Sequence, residues 1–107
     1  MTPIDQITFA GLIGNRPWEE ITTNEFMNAL AKNGWGEAPN AHILKRLRQR
    51  GALWGIHTPN DFARALRDGE TFPAGNGALR RECCVGQCWV IYRGDTCRFI
   101  TIRHPRE

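Results

Sequence analysis

His42 heads the run "NAHILKRLRQRG" over residues 40–51, with Arg46 and Arg50 following at one-turn intervals and Lys45 and Arg48 between them. An imidazole takes up and gives back a proton near neutral pH, and guanidinium groups hold phosphate. Cutting RNA through its own ribose hydroxyl needs a base for that hydroxyl, cations for the phosphate and an acid for the leaving oxygen. Residues 38–60 contain no Asp or Glu, so this run and His57 lie in a locally positive stretch suited to a polyanion. The plainer reading is a solvated helix face whose charges keep the chain soluble.

A second group of such residues closes the chain. "FITIRHP" carries Thr101, Arg103 and His104, each able to serve a phosphate or a proton transfer. Strand alternation sends Thr101 and Arg103 to the same face. A helix packed over that face would bring both towards His42. Trp35, Trp54 and Tyr92 could stack unpaired bases, although in so small a domain tryptophan more often belongs to the core.

The elements that must position these groups follow from caps and periodicity. Thr22 and Glu25 form a capping box ahead of a helix with Phe26, Met27, Leu30 and Ala31 at helical spacing, ended by a left-handed Gly34. "GWGEAP" reads as a turn. Asn40 is expected to cap the second helix, which runs to about Gln49 with Ile43, Leu44 and Leu47 buried, and Gly51 closes it. "ALWGIHT" reads as short and extended. Thr58-Pro59-Asn60-Asp61 starts a third helix that buries Phe62, Ala65 and Leu66 and stops at Gly69. "ETFPAGNG" reads as loop.

The last third changes period. "ALRRECCV" is a candidate strand, and "QCWVIYRGDTCRFITIRHP" reads as two strands around a two-residue Gly94-Asp95 turn. That turn would set Tyr92 opposite Cys97, Val90 opposite Phe99 and Cys88 opposite Thr101. Both hairpin faces are largely apolar, which predicts a central hairpin covered in part on each side. The predicted architecture is a single α+β domain over residues 1–107, with N-terminal helices packed on a C-terminal antiparallel sheet of three to five strands.

Cys83, Cys84, Cys88 and Cys97 raise a zinc reading, with His104 as a spare ligand. Structural zinc sites favour two close ligand pairs; here Cys84 and Cys88 form one, and Cys97 lacks a near second. A disulfide stays open, and core thiols fit the strand positions best. The spacing therefore argues against a zinc site. The chain carries a net charge of +3, no apolar run long enough to span a bilayer, and an N-terminus that does not read as a signal peptide.

The ordered combination of "NAHILKRLRQRG", "GIHTPNDFARALRDGE" and "VIYRGDTCRFITIRHP" over about residues 39–105 resembles bacterial toxin ribonucleases of the Barnase–EndoU–colicin–RelE group. It is most similar to C-terminal toxin domains of polymorphic and contact-dependent inhibition systems. The resemblance implies a metal-independent endoribonuclease that needs no organic cofactor, acting on transfer RNA or another structured RNA in a bacterial cytoplasm. It also implies that the chain could be the C-terminal part of a larger secreted or cell-surface protein, neutralised by an acidic immunity protein. It makes His42 the general acid/base, Arg46 and Arg50 phosphate ligands, and Thr101 the last-strand residue at the scissile phosphate. Some members carry an aromatic or second histidine where this chain has Arg103, which leaves His104, Tyr92 and His57 open as the acid. Lys45, Arg48, Arg50, His57, Tyr92 and His104 are the expected RNA contacts, and His42, Arg46, Thr101 and Arg103 the expected catalytic set. The alternative is a non-catalytic RNA- or DNA-binding or protein-interaction module using the basic helix 40–50.

Overall fold

The computed structural model describes residues 2–11, 13–36, 40–83 and 88–105. Cys84 and the Glu37–Pro39 part of the expected turn lie outside them. The described residues form helices α1 (Thr23–Ala31), α2 (Asn40–Arg50) and α3 (Pro59–Arg67), then strands β1 (Glu70–Gly75), β2 (Ala78–Cys83), β3 (Cys88–Arg93) and β4 (Arg98–Arg103). Short 3-10 turns occupy Ile4–Gln6, Trp18–Glu20 and Gly51–Trp54. The fold is α+β: helices first, then a four-stranded antiparallel sheet in the order β1-β2-β3-β4.

The helix starts come from local chemistry. Thr22 and Glu25 form a reciprocal capping box on α1, and Thr58 and Asp61 form another on α3, with Pro59 in the first turn. Gly34 ends the first helical segment with a φ of 81°, a conformation glycine reaches without a Cβ penalty. Asn40 departs from its expected role. It is fully buried inside α2, and its amide nitrogen donates to the Trp35 carbonyl at 2.7 Å instead of capping the helix. Residues 51–54 are also not extended. Gly51 opens a 3-10 turn and packs so closely that a Cβ there would meet the Ile56 carbonyl at 2.5 Å.

One core joins the two halves. In the helical layer Phe9 stacks on Phe26 and Phe62 while Trp18 meets both of those rings edge to face, and Phe62 continues to Phe99 on β4 at 6.0 Å between ring centroids. Trp35 packs against Phe99 at 4.7 Å and Tyr92 at 5.8 Å. The N-terminal segment joins this core through Ile4, Ile7, Phe9 and Ile13. The Asn33 side chain pins it by accepting from the Thr8 N–H and donating to the Thr8 carbonyl.

The sheet departs from expectation in three ways. Residues 70–75 are an edge strand, turned into β2 by Asn76 and Gly77, both at positive φ, the Asn-Gly signature of a tight hairpin. Pro73 is tolerated because β1 has an unpaired side. Second, β3 and β4 are joined through the four residues Gly94–Cys97, with Cys97 at φ 51°, so Arg93 faces Arg98 and not Thr96, as a two-residue Gly94-Asp95 turn would require. Third, a bulge shifts the register between Ile91 and Tyr92, whose partners are Thr101 and Phe99.

The bulge re-sorts the last strand. Phe99 and Ile102, three residues apart, both point inward to the helices with Val90 and Tyr92. Thr101 and Arg103 share the outward face with Ile91 and Trp89. Among the described residues β4 is an edge strand, so the hairpin is not central, and the core of the helical layer packs on its inner face.

Candidate functional site

α2 meets the sheet along β4, and there the structure joins residues 59 positions apart. His42 Nε2 lies 3.1 Å from Thr101 Oγ1. One turn further along α2, Arg46 Nε donates to the Ile102 carbonyl at 3.2 Å. Ile43, Leu44 and Leu47 drive this docking: all three are fully buried, and they fix the rotation of α2 that turns His42 and Arg46 to the β4 edge. Because Thr101 belongs to the outward face, α2 reaches it at the edge of the strand and does not lie over that face as expected.

The expected site residues separate into two sets. His42, Arg46 and Thr101 converge, and His104 follows β4 directly as a half-buried residue. Lys45 and Arg50 are exposed on α2. Arg103 is exposed on the outward face, its Cζ 5.6 Å from the Trp89 ring centroid. Arg48 turns the other way. Its Nε donates to the Trp18 carbonyl and its terminal nitrogen to the Ile21 carbonyl, so it ties α2 to the Trp18–Glu20 turn. His57 is exposed in the loop ahead of α3, where its backbone N–H donates to Asp61.

Tyr92 is a core residue, not a surface aromatic. It is buried, packed on Trp35, with its hydroxyl 3.0 Å from Thr71 Oγ1. Trp35 and Trp54 are buried too, so none of these three rings is open to an unpaired base. The aromatic that does lie on the outward face is Trp89, half-buried and stacked under Arg80 at 4.4 Å. Its signal was its strand parity: it alternates with the inward Cys88 and Val90.

Cys83, Cys88 and Cys97 are buried free thiols. Cys83 and Cys88 face each other across β2 and β3, and the hydrogen bond with Cys83, together with burial, pushes the Cys88 thiol well above the ordinary thiol range. Among the described residues no three His, Cys, Asp or Glu side chains gather as a metal site needs. Among those residues, too, no helix is long and apolar enough to cross a membrane.

Away from this edge, Arg16 and Glu25 form an ion pair at the start of α1. Arg16 bonds the Glu25 carboxylate, and with the Thr22 backbone N–H it lowers that carboxyl to about 2.

The edge therefore offers an imidazole, a hydroxyl and a guanidinium in one neighbourhood: a group that can move a proton and two that can hold a phosphate oxygen. Comparisons with family models, curated proteins and solved structures each return no match.

Proposed function

We propose that the protein is a metal-independent endoribonuclease of toxin type. The observation that carries this reading is the 3.1 Å approach of His42 Nε2 to Thr101 Oγ1, with Arg46 held one turn away by the Ile102 carbonyl. The pattern of residues resembling Barnase–EndoU–colicin–RelE toxins supports the same reading.

In this scheme the scissile phosphate sits between Thr101 and Arg46. His42 takes the proton from the ribose 2′-hydroxyl as that oxygen attacks the adjacent phosphorus. The bond from phosphorus to the 5′-oxygen breaks, and a 2′,3′-cyclic phosphate forms. The departing oxygen takes a proton from a second group, for which His104, three residues from Thr101, is the nearest candidate in the chain. Arg46 offsets the charge gathering on the phosphate. DNA lacks the nucleophile and is not cut. An acidic immunity protein would cover the basic edge of α2, with Lys45 and Arg50 on its rim, and the site of action would be a bacterial cytoplasm.

The test is incubation of the protein with total RNA in EDTA, beside His42→Ala. We expect discrete fragments ending in 2′,3′-cyclic phosphate from the parent. The variant should cut about 100- to 10,000-fold more slowly, the range spanned by general acid–base catalysis. Its melting temperature should stay within a degree or two, because His42 is exposed. Intact RNA with the parent protein, or full activity in the variant, overturns the assignment. Intact but retarded RNA favours a binding module.

A further inference from the structure

The outward face of the sheet carries a row of stacked groups that the edge site does not use. Arg80 Cζ lies 4.4 Å from the Trp89 ring centroid and 5.4 Å from that of Phe72, and Arg103 Cζ lies 5.6 Å from Trp89. The register carries the row across all four strands: Phe72 faces Arg80, Trp89 faces Arg103, and Ile91 faces Thr101. Thr101 is thus the diagonal neighbour of Trp89, about 7–8 Å away by the ordinary geometry of antiparallel strands. The row ends beside the hydroxyl that contacts His42.

The chemistry of this face fits one kind of ligand. Its outward positions include Arg80, Arg93, Arg98 and Arg103 against Glu70 and Glu82, and Glu82 pairs with Arg80 at 2.8 Å. The helices pack on the opposite face, which leaves Trp89 and Arg80 half-exposed. A stacked indole and guanidinium, flanked by further arginines, can extend the stack to a base and hold the phosphates beside it. An A-form duplex hides its base faces and cannot use such a plane.

We infer that this face is the track for an unpaired strand of RNA, with the base next to the scissile phosphate packed against the Trp89–Arg80 stack and Arg103 on the adjoining phosphate. The substrate class is therefore RNA that is single-stranded at the cut, such as a loop or an open end. The inference rests on the ribonuclease reading for the strand being RNA and for its placement against Thr101.

Tryptophan fluorescence gives a direct test. Trp18, Trp35 and Trp54 are 2%, 1% and 4% exposed, so quenching by a nucleic acid reports on Trp89. The probe is a short single strand with 2′-O-methyl groups at every position, which cannot be cut by the proposed route, beside the same strand annealed to its complement. We expect saturable quenching by the single strand and at least fivefold weaker binding of the duplex. Trp89→Ala, checked for folding by circular dichroism, should bind about tenfold more weakly, the loss of one base stack. Arg80→Gln should weaken binding and flatten its salt dependence.

Binding of the single strand by anisotropy without quenching overturns the inference, and so do duplex preference and parent-like affinity in both folded variants. Failure of the two readings is distinguishable. RNA cut by a protein whose outward face binds nothing leaves the ribonuclease standing and removes the track. Quenching by the probe with RNA left intact removes the ribonuclease and keeps the track as a binding surface.

Discussion

Arg46 and Arg48 stand two residues apart on α2 and do opposite work. A separation of two residues is about 200° around a helix. Arg46 faces β4, donates to Ile102 and shares its stripe with His42. Arg48 faces the N-terminal turn and holds the Trp18 and Ile21 carbonyls. A run of basic residues is therefore not one surface. The buried Ile43, Leu44 and Leu47 set the rotation of α2, and that rotation decides which cation meets the candidate site and which braces the fold.

Exchanging each arginine for glutamine sharpens the contrast. Arg46→Gln is expected to slow RNA cleavage about 100-fold, the scale of losing one charged donor to a phosphate, with little change in Tm. Arg48→Gln should keep cleavage within about threefold of the parent and lower stability by about 1 kcal/mol, a modest figure because the side chain is exposed. Rate assays beside thermal melts read both, and a larger rate loss in the Arg48 variant would erase the distinction.

A smaller effect is expected at Thr101. Thr101→Val removes the hydroxyl beside His42 and should cost about tenfold in rate, one hydrogen bond's worth, while Thr101→Ser stays within about threefold. Equal rates for the two substitutions would show that the hydroxyl has no part in the reaction.

The smallest effect lies on the bracing side. Glu25 is held down to about 2 by Arg16, so its ion pair stabilises the fold above the ordinary carboxylate range. That contribution is lost as pH falls from about 4.5 towards 2, because the unfolded chain then binds a proton the folded chain resists. Glu25→Gln should be less stable at neutral pH and lose less on acidification. Parallel melting curves for parent and variant across that window would contradict the assignment.

The same division separates what could be read in the residues from what could not. The Thr22–Glu25 capping box, the Thr58 cap, the left-handed Gly34, the buried stripes of α2 and α3 and the α+β order are legible because each depends on neighbours within a turn or two, whereas on α1 Phe26 and Leu30 are buried as expected but Ala29 takes the place of Met27 and the exposed Ala31. The approach of His42 to Thr101 is half legible: strand parity groups Thr101 with Arg103, and α2 reaches Thr101 at the strand edge, while Arg103 packs by Trp89 instead. The Asn76-Gly77 hairpin was present as a signal and masked by Pro73 and Gly75, which read as loop. The register of β4 was not accessible, since one unpaired residue in the bulge exchanges the faces of Thr101 and Ile102.

By itself, then, the sequence determined the three helices, the capped starts of α1 and α3 and the buried sides of α2 and α3, and it placed the proton-moving and phosphate-holding residue types in the chain. Caps, turns and apolar periodicity are short-range and act before any tertiary contact forms. Only the tertiary structure decided that Arg46 joins His42 while Arg48 does not, that Tyr92 is core while Trp89 faces outward, and that α2 meets Thr101 at the edge of β4. Those outcomes depend on how one core is filled from both halves of the chain, and packing across 59 residues leaves no local mark.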